Sequence, residues 1–193
     1  MNKERFWQVI EEIKDKNQEK AHENLIKKLS QLEDADIALW GQIFNLYQKL
    51  SYKDRLWAAA YVIQGGCSDD GFDYFRAWLT AQGKKIFLNA LSDPDSLAEL
   101  EIEPDTAEFE DMLGVAVYAF SKKHNLKLFY DAYDAYDQAI LDYPLDAKEI
   151  AEIKKEIVYA EEPDPEHDWE SDDNKELKSI VPKLWAFYEK FYY

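Results

Sequence analysis

The sequence predicts an all-α fold, in a single compact domain of about eight to ten helices that spans residues 1–193. Apolar residues recur every three or four positions along almost the whole chain, which is the period of a helix with one buried face. No stretch of alternating apolar and polar residues is long enough to predict a sheet. Because the chain has 193 residues and 47% of them are hydrophobic, it can bury one sizeable core but not two full domains.

Three amphipathic helices are predicted in the first 50 residues, because each has apolar residues spaced to lie on one face. The three faces are marked by Phe6, Ile10 and Ile13; by Ala21, Leu25, Leu29 and Leu32; and by Ile37, Trp40, Phe44, Tyr47 and Leu50. Trp40, Ile43 and Tyr47 resemble the opening of a tetratricopeptide repeat. Nothing similar recurs about 34 residues later, so no repeat array is expected.

A helix buried in the middle of the domain is predicted over residues 54–64, which are apolar on nearly all sides. Gly65 and Gly66 end it, because glycine readily adopts the left-handed conformation that closes a helix. Ser68 is placed to cap the next helix, with Asp69–Asp70 in its positively polarised first turn. The apolar face of that helix is formed by Phe72, Phe75, Trp78 and Leu79, before Gly83 stops it.

The rest of the chain alternates helices with acidic or proline-containing breaks. A helix over 84–91 is followed by short helices starting at Pro94 and Pro104, since proline suits the first position of a helix. Further helices are predicted over residues 109–120, 129–140 and 150–158 and from Pro182 to Phe191. Residues 161–173 contain two prolines and no apolar period, so we expect an exposed loop there.

The negative charge is concentrated in two segments. The chain has 40 acidic and 23 basic residues, which gives a net charge of -17. Nine of the acidic residues lie in 92–113, the first acidic segment, and eight lie in 161–173, the second; neither segment contains Lys or Arg. Such a charge repels phosphates and anionic lipid headgroups, so we expect no direct binding of nucleic acid or membranes.

An acidic surface of this size predicts a non-catalytic protein-interaction module that binds a basic partner protein, with electrostatic attraction speeding association. The candidate partner-binding residues are Glu161, Glu162, Asp164, Glu166 and Asp168. The competing explanation is that the charge only keeps the protein soluble. The sequence leaves the oligomeric state open.

The loop between the fourth and fifth predicted helices is a second candidate site, at which an enzyme or small-ligand sensor could form a pocket. Its residues are Gly65, Gly66, Cys67, Ser68, Asp69, Asp70 and Gly71, with Arg76 one turn beyond. A cysteine nucleophile needs a base, but no motif ties His22, His124 or His167 to Cys67. Each loop residue also has a sufficient role in the turn itself, so whether the chain is an enzyme stays open.

Arg76 has a functional and a structural interpretation. Its guanidinium could bind an anionic ligand group through two hydrogen bonds. It could instead pair with Asp73, three positions earlier on the same helix, or with Asp69–Asp70. A deep pocket faced by both Cys67 and Arg76 would favour the ligand site, whereas a filled loop with a buried Cys67 would favour the interaction module.

No motif points to a metal site or a cofactor. Residues 164–170 have oxygen ligands at alternate positions, but Trp169 and Lys175 stand where a calcium-binding EF-hand needs Gly and Glu. Weak, non-specific binding of divalent ions is all that this segment leaves open. We find no glycine-rich phosphate loop, no H-E-x-x-H and no C-x-x-C motif.

Aromatic residues are dense in 131–137 and in 187–193. Helical spacing assigns most of them to the core. Tyr136, Tyr192 and Tyr193 are the ones expected at the surface, where tyrosine is enriched in protein interfaces.

The middle of the chain resembles the signature of the bacterial Domain of Unknown Function 4240 family. The segments that carry the resemblance are Leu56–Tyr61, Gly65–Phe72, Tyr74–Leu79, Phe6–Trp7 and Asp93–Leu97, with Pro182–Trp185 similar to the family's closing segment. The similarity covers roughly residues 1–120. It implies a mainly helical, bacterial, cytosolic protein with no assigned activity. The start of the sequence also indicates a cytosolic protein, because it lacks the apolar stretch of a signal peptide.

Overall fold

A computed structural model describes residues 1–15, 17–100, 102–161 and 174–193. Within these ranges the chain is helical and contains no β-strand, which confirms the all-α prediction. The α-helices are α1 (Lys3–Ile13), α2 (Gln18–Leu29), α3 (Asp34–Leu50), α4 (Asp54–Gln64), α5 (Asp69–Ala81), α6 (Lys84–Ser92), α7 (Val115–His124), α8 (Phe129–Asp142), α9 (Ala147–Glu156), α10 (Lys175–Ile180) and α11 (Pro182–Tyr192). Two 3-10 helices, Pro94–Leu100 and Glu110–Gly114, lie between α6 and α7.

The chain forms two compact units, and each is assembled from separate stretches of sequence. The first unit contains Met1–Lys49 and Phe109–Glu156, and the second contains Leu50–Glu108 and Ile157–Tyr193. That residues 1–193 behave as one domain stays a prediction. Among the described residues, none of the helices combines the length and the apolar character needed to cross a bilayer.

The core of the first unit is built from aromatic side chains of α1 and α3. The ring centroids of Phe6 and Trp40 lie 5.1 Å apart, and those of Trp7 and Tyr47 lie 4.9 Å apart. Trp7 Nε1 donates a hydrogen bond to the Tyr47 hydroxyl, at 2.9 Å, and that hydroxyl donates in turn to the carboxylate of Glu156 on α9. The buried aromatic rings therefore bring their polar atoms together in pairs. Helix α2 packs against α7 in the same unit.

Helix α8 joins the first unit through Tyr136, which was expected at the surface and is buried, with 5% of its area exposed. The prediction was wrong because Ala132 and Ala139 share the buried face with Tyr136, while Tyr130 and Tyr133 are the exposed rings. The Tyr136 hydroxyl reaches the backbone of α3 at Gly41. A Cβ atom at position 41 would overlap that hydroxyl and would lie 3.0 Å from the Cβ of Ala116.

The core of the second unit surrounds α4, as its apolar sequence predicted. Helix α4 packs against α5, α10, α11 and the first 3-10 helix, Pro94–Leu100. That 3-10 helix also packs against α6 and α11. Its Asp95 is buried and its carboxylate accepts hydrogen bonds from the backbone N–H groups of Lys183, at 3.0 Å, and Leu184, at 2.9 Å. Asp95 therefore caps the N-terminus of α11 from 88 residues away.

Several predicted boundaries differ from the structure. Pro94 begins a 3-10 helix as expected, but Pro104 lies in a turn. The helix predicted over 109–120 is divided into a 3-10 helix and α7, which ends at His124 and is followed by Asn125 in the left-handed conformation. Helix α9 ends at Glu156, and the chain beyond it has no regular secondary structure; there Ala160 N donates a backbone hydrogen bond to Leu91 O, at 2.8 Å. The predicted loop 161–173 lies outside the described residues after position 161.

Replacing Gly41 with alanine should destabilise the protein, although alanine in the middle of a helix is normally about 0.5–1 kcal/mol better than glycine. The new methyl group would overlap the Tyr136 hydroxyl, and we expect a loss of about 1–3 kcal/mol in the free energy of unfolding. Tyr136→Phe removes the overlapping atom, so the double variant should recover at least about 1 kcal/mol of that loss. Urea unfolding of the four proteins measures this coupling, and additive effects would contradict the described contact.

Replacing Asp95 with alanine should lower the free energy of unfolding by about 1–3 kcal/mol, because two backbone N–H groups at the start of α11, one of them buried, lose their acceptor. Glu99→Ala is the matched control, since Glu99 is an exposed carboxylate on the same 3-10 helix. Chemical denaturation of both variants gives the comparison. Equal stabilities of the two variants would show that the cap contributes nothing.

Candidate functional site

The loop between α4 and α5 is a turn in which glycine and serine perform the predicted structural roles. Gly65 ends α4 in the left-handed conformation, with φ of 66°, and Gly66 N donates a hydrogen bond to Tyr61 O, at 2.9 Å. A Cβ atom at Gly65 would overlap the ring of Tyr192, so the glycine also allows a side chain of α11 to approach. Ser68 caps α5, because its Oγ accepts a hydrogen bond from Gly71 N, at 3.1 Å.

Cys67 is half-buried inside this turn, and its environment disfavours the thiolate. Its carbonyl oxygen accepts a hydrogen bond from Trp57 Nε1, at 3.0 Å, which fixes the backbone of the loop. Burial, together with the negative charges of Glu108 and Asp69, raises the pKa of the thiol to about 12. A nucleophilic cysteine needs the opposite shift, toward a thiolate at neutral pH. His22 and His124 belong to the first unit, and His167 lies outside the described residues.

Arg76 is buried, with 4% of its area exposed, and its guanidinium is enclosed by neighbours in the second unit. The guanidinium carbon lies 4.8 Å from the centre of the Tyr52 ring and 4.7 Å from that of Phe72. Its Nη2 forms an ion pair with the Asp73 carboxylate, and Nε donates to Phe72 O, at 3.2 Å. Burial lowers the pKa of Arg76, and the charge of Asp73 opposes this effect. The ion pair with Asp73 is the structural alternative that the sequence offered.

The Tyr52 side chain connects the first turn of α5 with Trp57 of α4, within the second unit. The Tyr52 hydroxyl donates to the Asp69 carboxylate, at 3.1 Å, and its ring lies 5.7 Å from that of Trp57. Burial, and then the hydrogen bond to Asp69, raises the pKa of Tyr52. Asp70 is exposed in the same first turn. Around the loop, Asp69 and Asp73 are therefore already paired, with Tyr52 and Arg76 respectively.

The first acidic segment is less uniform than its sequence suggests. Asp95 is buried as the cap of α11, and Glu110 and Asp111 belong to the first unit. Five described carboxylates of this segment belong to the second unit and are exposed, and we call them the acidic set: Asp93, Glu99, Glu103, Asp105 and Glu108. None of the five forms an ion pair with a basic residue in the described ranges.

Two members of the acidic set are held in place by neutral donors. The Tyr192 hydroxyl donates to Asp105, at 3.0 Å, and Gln64 Nε2 donates to Glu108, at 3.1 Å. Burial and the bond to Asp105 raise the pKa of Tyr192 to about 12, so this phenol stays a donor at neutral pH. In the second acidic segment Glu161 is exposed. Glu162, Asp164, Glu166 and Asp168 lie outside the described residues.

Comparison with known protein families identifies a match over the first two thirds of the chain. The model of a family described as "Protein of unknown function (DUF4240)" matches residues 1–122, which is close to the range predicted from the sequence. The match does not extend to Pro182–Trp185, whose similarity to the family's closing segment stays a prediction. No curated protein and no solved structure shows significant similarity to the chain.

The Cys67 thiol should react slowly and with an unusual pH dependence. Because its pKa is raised to about 12, its rate of alkylation by iodoacetamide should increase about tenfold per pH unit from about pH 7 to pH 10, without a plateau. Steric protection alone would lower the rate equally at every pH. The control is the same thiol in urea, which should level off near an ordinary cysteine pKa. A plateau below about pH 9 in the folded protein would show that the thiol is not disfavoured as described.

Proposed function

Because the chain belongs to the DUF4240 family, whose function is unknown, we propose a function from its chemistry: a non-catalytic interaction module that binds a basic protein through an acidic surface. The observation that carries this proposal is the acidic set, five exposed carboxylates of the second unit without an ion-pair partner in the described part of the chain. The net charge of -17 adds a long-range field of the same sign.

The acidic set is suited to docking because its charge is not already neutralised within its surroundings. An exposed carboxylate that already forms an ion pair within the protein attracts a partner's cation only weakly, because its charge is largely neutralised. Asp105 and Glu108 accept hydrogen bonds from neutral donors, which orient the two carboxylates without cancelling their charge. Oriented carboxylates lose less side-chain entropy when a partner's lysine or arginine binds. The exposed Glu161 and the rest of the second acidic segment would extend the same negative field.

A partner recognised in this way carries clustered Lys or Arg residues. Charge of opposite sign on the two proteins accelerates their encounter, and salt weakens that acceleration. The range of the attraction falls from about 30 Å at 0.01 M salt to about 3 Å at 1 M. Binding through the acidic set should therefore be strongest at low salt and should weaken through slower association.

The alternative, an enzyme or small-ligand sensor at Gly65–Gly71, stays a prediction without a contact that favours it. Arg76 is paired with Asp73 and covered by two rings, so an anionic ligand would have to displace those contacts. The raised pKa of Cys67 disfavours a nucleophilic role. We therefore give the interaction module precedence.

Neutralising the acidic set should slow association with the partner by about tenfold or more at low salt, because steering depends on local charge. The variant carries Asp93→Asn, Glu99→Gln, Glu103→Gln, Asp105→Asn and Glu108→Gln. The partner is first captured from the native cytosol at low salt and purified, and association rates are then measured by surface plasmon resonance. A second variant neutralises Glu161, Glu162, Asp164, Glu166 and Asp168, to test the other acidic segment separately.

The matched control removes five exposed carboxylates of the first unit, so that its net charge equals that of the other variants. It carries Glu4→Gln, Glu19→Gln, Glu23→Gln, Asp131→Asn and Asp134→Asn. We expect less than about a twofold change in its association rate. If association slows equally in all three variants, only the total charge of the protein matters and the acidic set has no special role. If the rates of both acidic-segment variants are unchanged, the proposal is refuted.

A further inference from the structure

The outer face of helix α8 exposes two large apolar side chains, one near each end of the helix. Tyr130 has 80% of its area exposed and Leu141 has 74%, the highest values among the large apolar residues of the described ranges. A single exposed apolar side chain is ordinary, whereas several on one face mark a site of interaction. The opposite face of α8 is buried and carries Ala132, Tyr136 and Ala139.

Two carboxylates lie between these apolar residues on the same face. Asp134 and Asp137 follow Tyr130 by four and seven positions, and Leu141 follows it by eleven, so the four residues form one row along three turns. We call Tyr130, Asp134, Asp137 and Leu141 the α8 row. Both carboxylates are exposed, and neither forms an ion pair within the part of the chain that the structure describes. The sequence has no Lys or Arg between positions 128 and 147, so α8 carries no cation of its own.

The spacing of the α8 row defines what would fit against it. Its intervals of four, three and four positions are symmetrical, so a helix laid alongside in either direction meets the same order of side chains. At about 1.5 Å of rise per residue, the two apolar ends lie about 16 Å apart. The complement of such a row is a helix with two apolar residues eleven positions apart and two basic residues between them.

We propose that the α8 row binds an amphipathic helix of a partner protein that carries apolar residues at positions i and i+11 and Lys or Arg at i+4 and i+7. Burial of the apolar ends drives the association, and the opposite charges steer and orient the bound helix. The α8 of a second copy would bring its own Asp134 and Asp137 against the same carboxylates, which opposes self-association through this face. An anionic lipid surface is repelled for the same reason.

This inference does not rest on the proposed function, because the α8 row belongs to the first unit and the acidic set to the second. The two surfaces also differ in what they recognise. The acidic set attracts clustered positive charge, whereas the α8 row requires apolar residues at a defined spacing. The first-unit control variant neutralises Asp134, so it would slow a partner that binds α8 and leave unchanged one that binds the acidic set.

The probe is a synthetic peptide of about 17 residues, made of Ala and Gln so that it is helical, with Leu at i and i+11 and Lys at i+4 and i+7. The control peptide exchanges Leu and Lys, so its composition and charge are the same. We expect the probe to bind the full-length protein at low salt with a Kd of about 0.1–1 mM, and the control peptide to bind at least about fivefold more weakly. Fluorescence anisotropy of the labelled peptides measures both constants.

Two double variants test the two parts of the α8 row. Tyr130→Ser with Leu141→Ser removes the apolar ends, and Asp134→Asn with Asp137→Asn removes the charges. Each should weaken binding of the probe at least about fivefold. High salt should weaken binding to the wild-type protein and should change the remaining affinity of the charge variant by less than about twofold.

The matched control variant is Val158→Ser with Phe191→Ser, which removes two exposed apolar side chains of the second unit. It should leave the affinity for the probe unchanged. All the substituted positions are exposed, so we expect every variant to fold, and circular dichroism checks this. A single substitution, Tyr130→Ser or Leu141→Ser, replaces the apolar pair if that pair does not fold.

Three outcomes would overturn the proposal. If neither peptide binds, or both bind equally, the spacing on α8 recognises nothing. If both α8 variants bind the probe as well as the wild type does, the probe occupies another surface. If the protein alone sediments as a dimer, and Tyr130→Ser with Leu141→Ser makes it a monomer, a second copy occupies this face.

Discussion

The structure depends on burying large aromatic side chains and on pairing the polar atoms of several of them within the core. Aromatic residues make up 15% of the chain, and their rings connect the helices within each unit. Each buried tryptophan or tyrosine carries one polar atom that is costly to leave without a partner, as it is at Trp40 and Tyr136. Trp7 finds the hydroxyl of Tyr47, and Tyr188 donates to the carbonyl oxygen of Ile102. These bonds fix the register between helices more tightly than apolar contact alone, because a shift of one residue would break them.

The same requirement explains why distant parts of the chain meet. The partner of Tyr188 is 86 residues away, and the carboxylate that caps α11 is 88 residues away. Aliphatic packing is non-directional and would tolerate several arrangements, whereas a buried N–H group accepts few. In the second unit the 3-10 helix Pro94–Leu100 therefore acts as a connection that aligns α11 with α6 and α4. The sequence did not predict this role, because the 3-10 helix lies in an acidic segment that was expected to be a charged surface.

An interaction could be predicted from the sequence where its two partners lie close together along the chain, and not where they lie far apart. The turn at Gly65–Ser68 and the ion pair of Arg76 with Asp73 were predictable, because their partners lie within a few residues. The burial of Asp95 was not, because its partners belong to a helix near the end of the chain. Tyr133 and Tyr136 have similar local sequences, and only the packing of α8 decides which is buried. The one local signal for the contact between α3 and Tyr136 was Gly41, a glycine in the middle of an apolar helix.

Gly41 also shows that packing within the unit, rather than helix propensity, decides which residue stands at this position. A glycine inside a helix costs about 0.5–1 kcal/mol relative to alanine, and a buried donor without a partner costs about 1–3 kcal/mol. An alanine at position 41 with a phenylalanine at position 136 would avoid both costs. No single substitution reaches that pair without loss, because alanine alone overlaps the Tyr136 hydroxyl and phenylalanine alone leaves the space above Gly41 unfilled. Gly41 and Tyr136 therefore fit each other as a pair, and the cost of each is tied to the presence of the other.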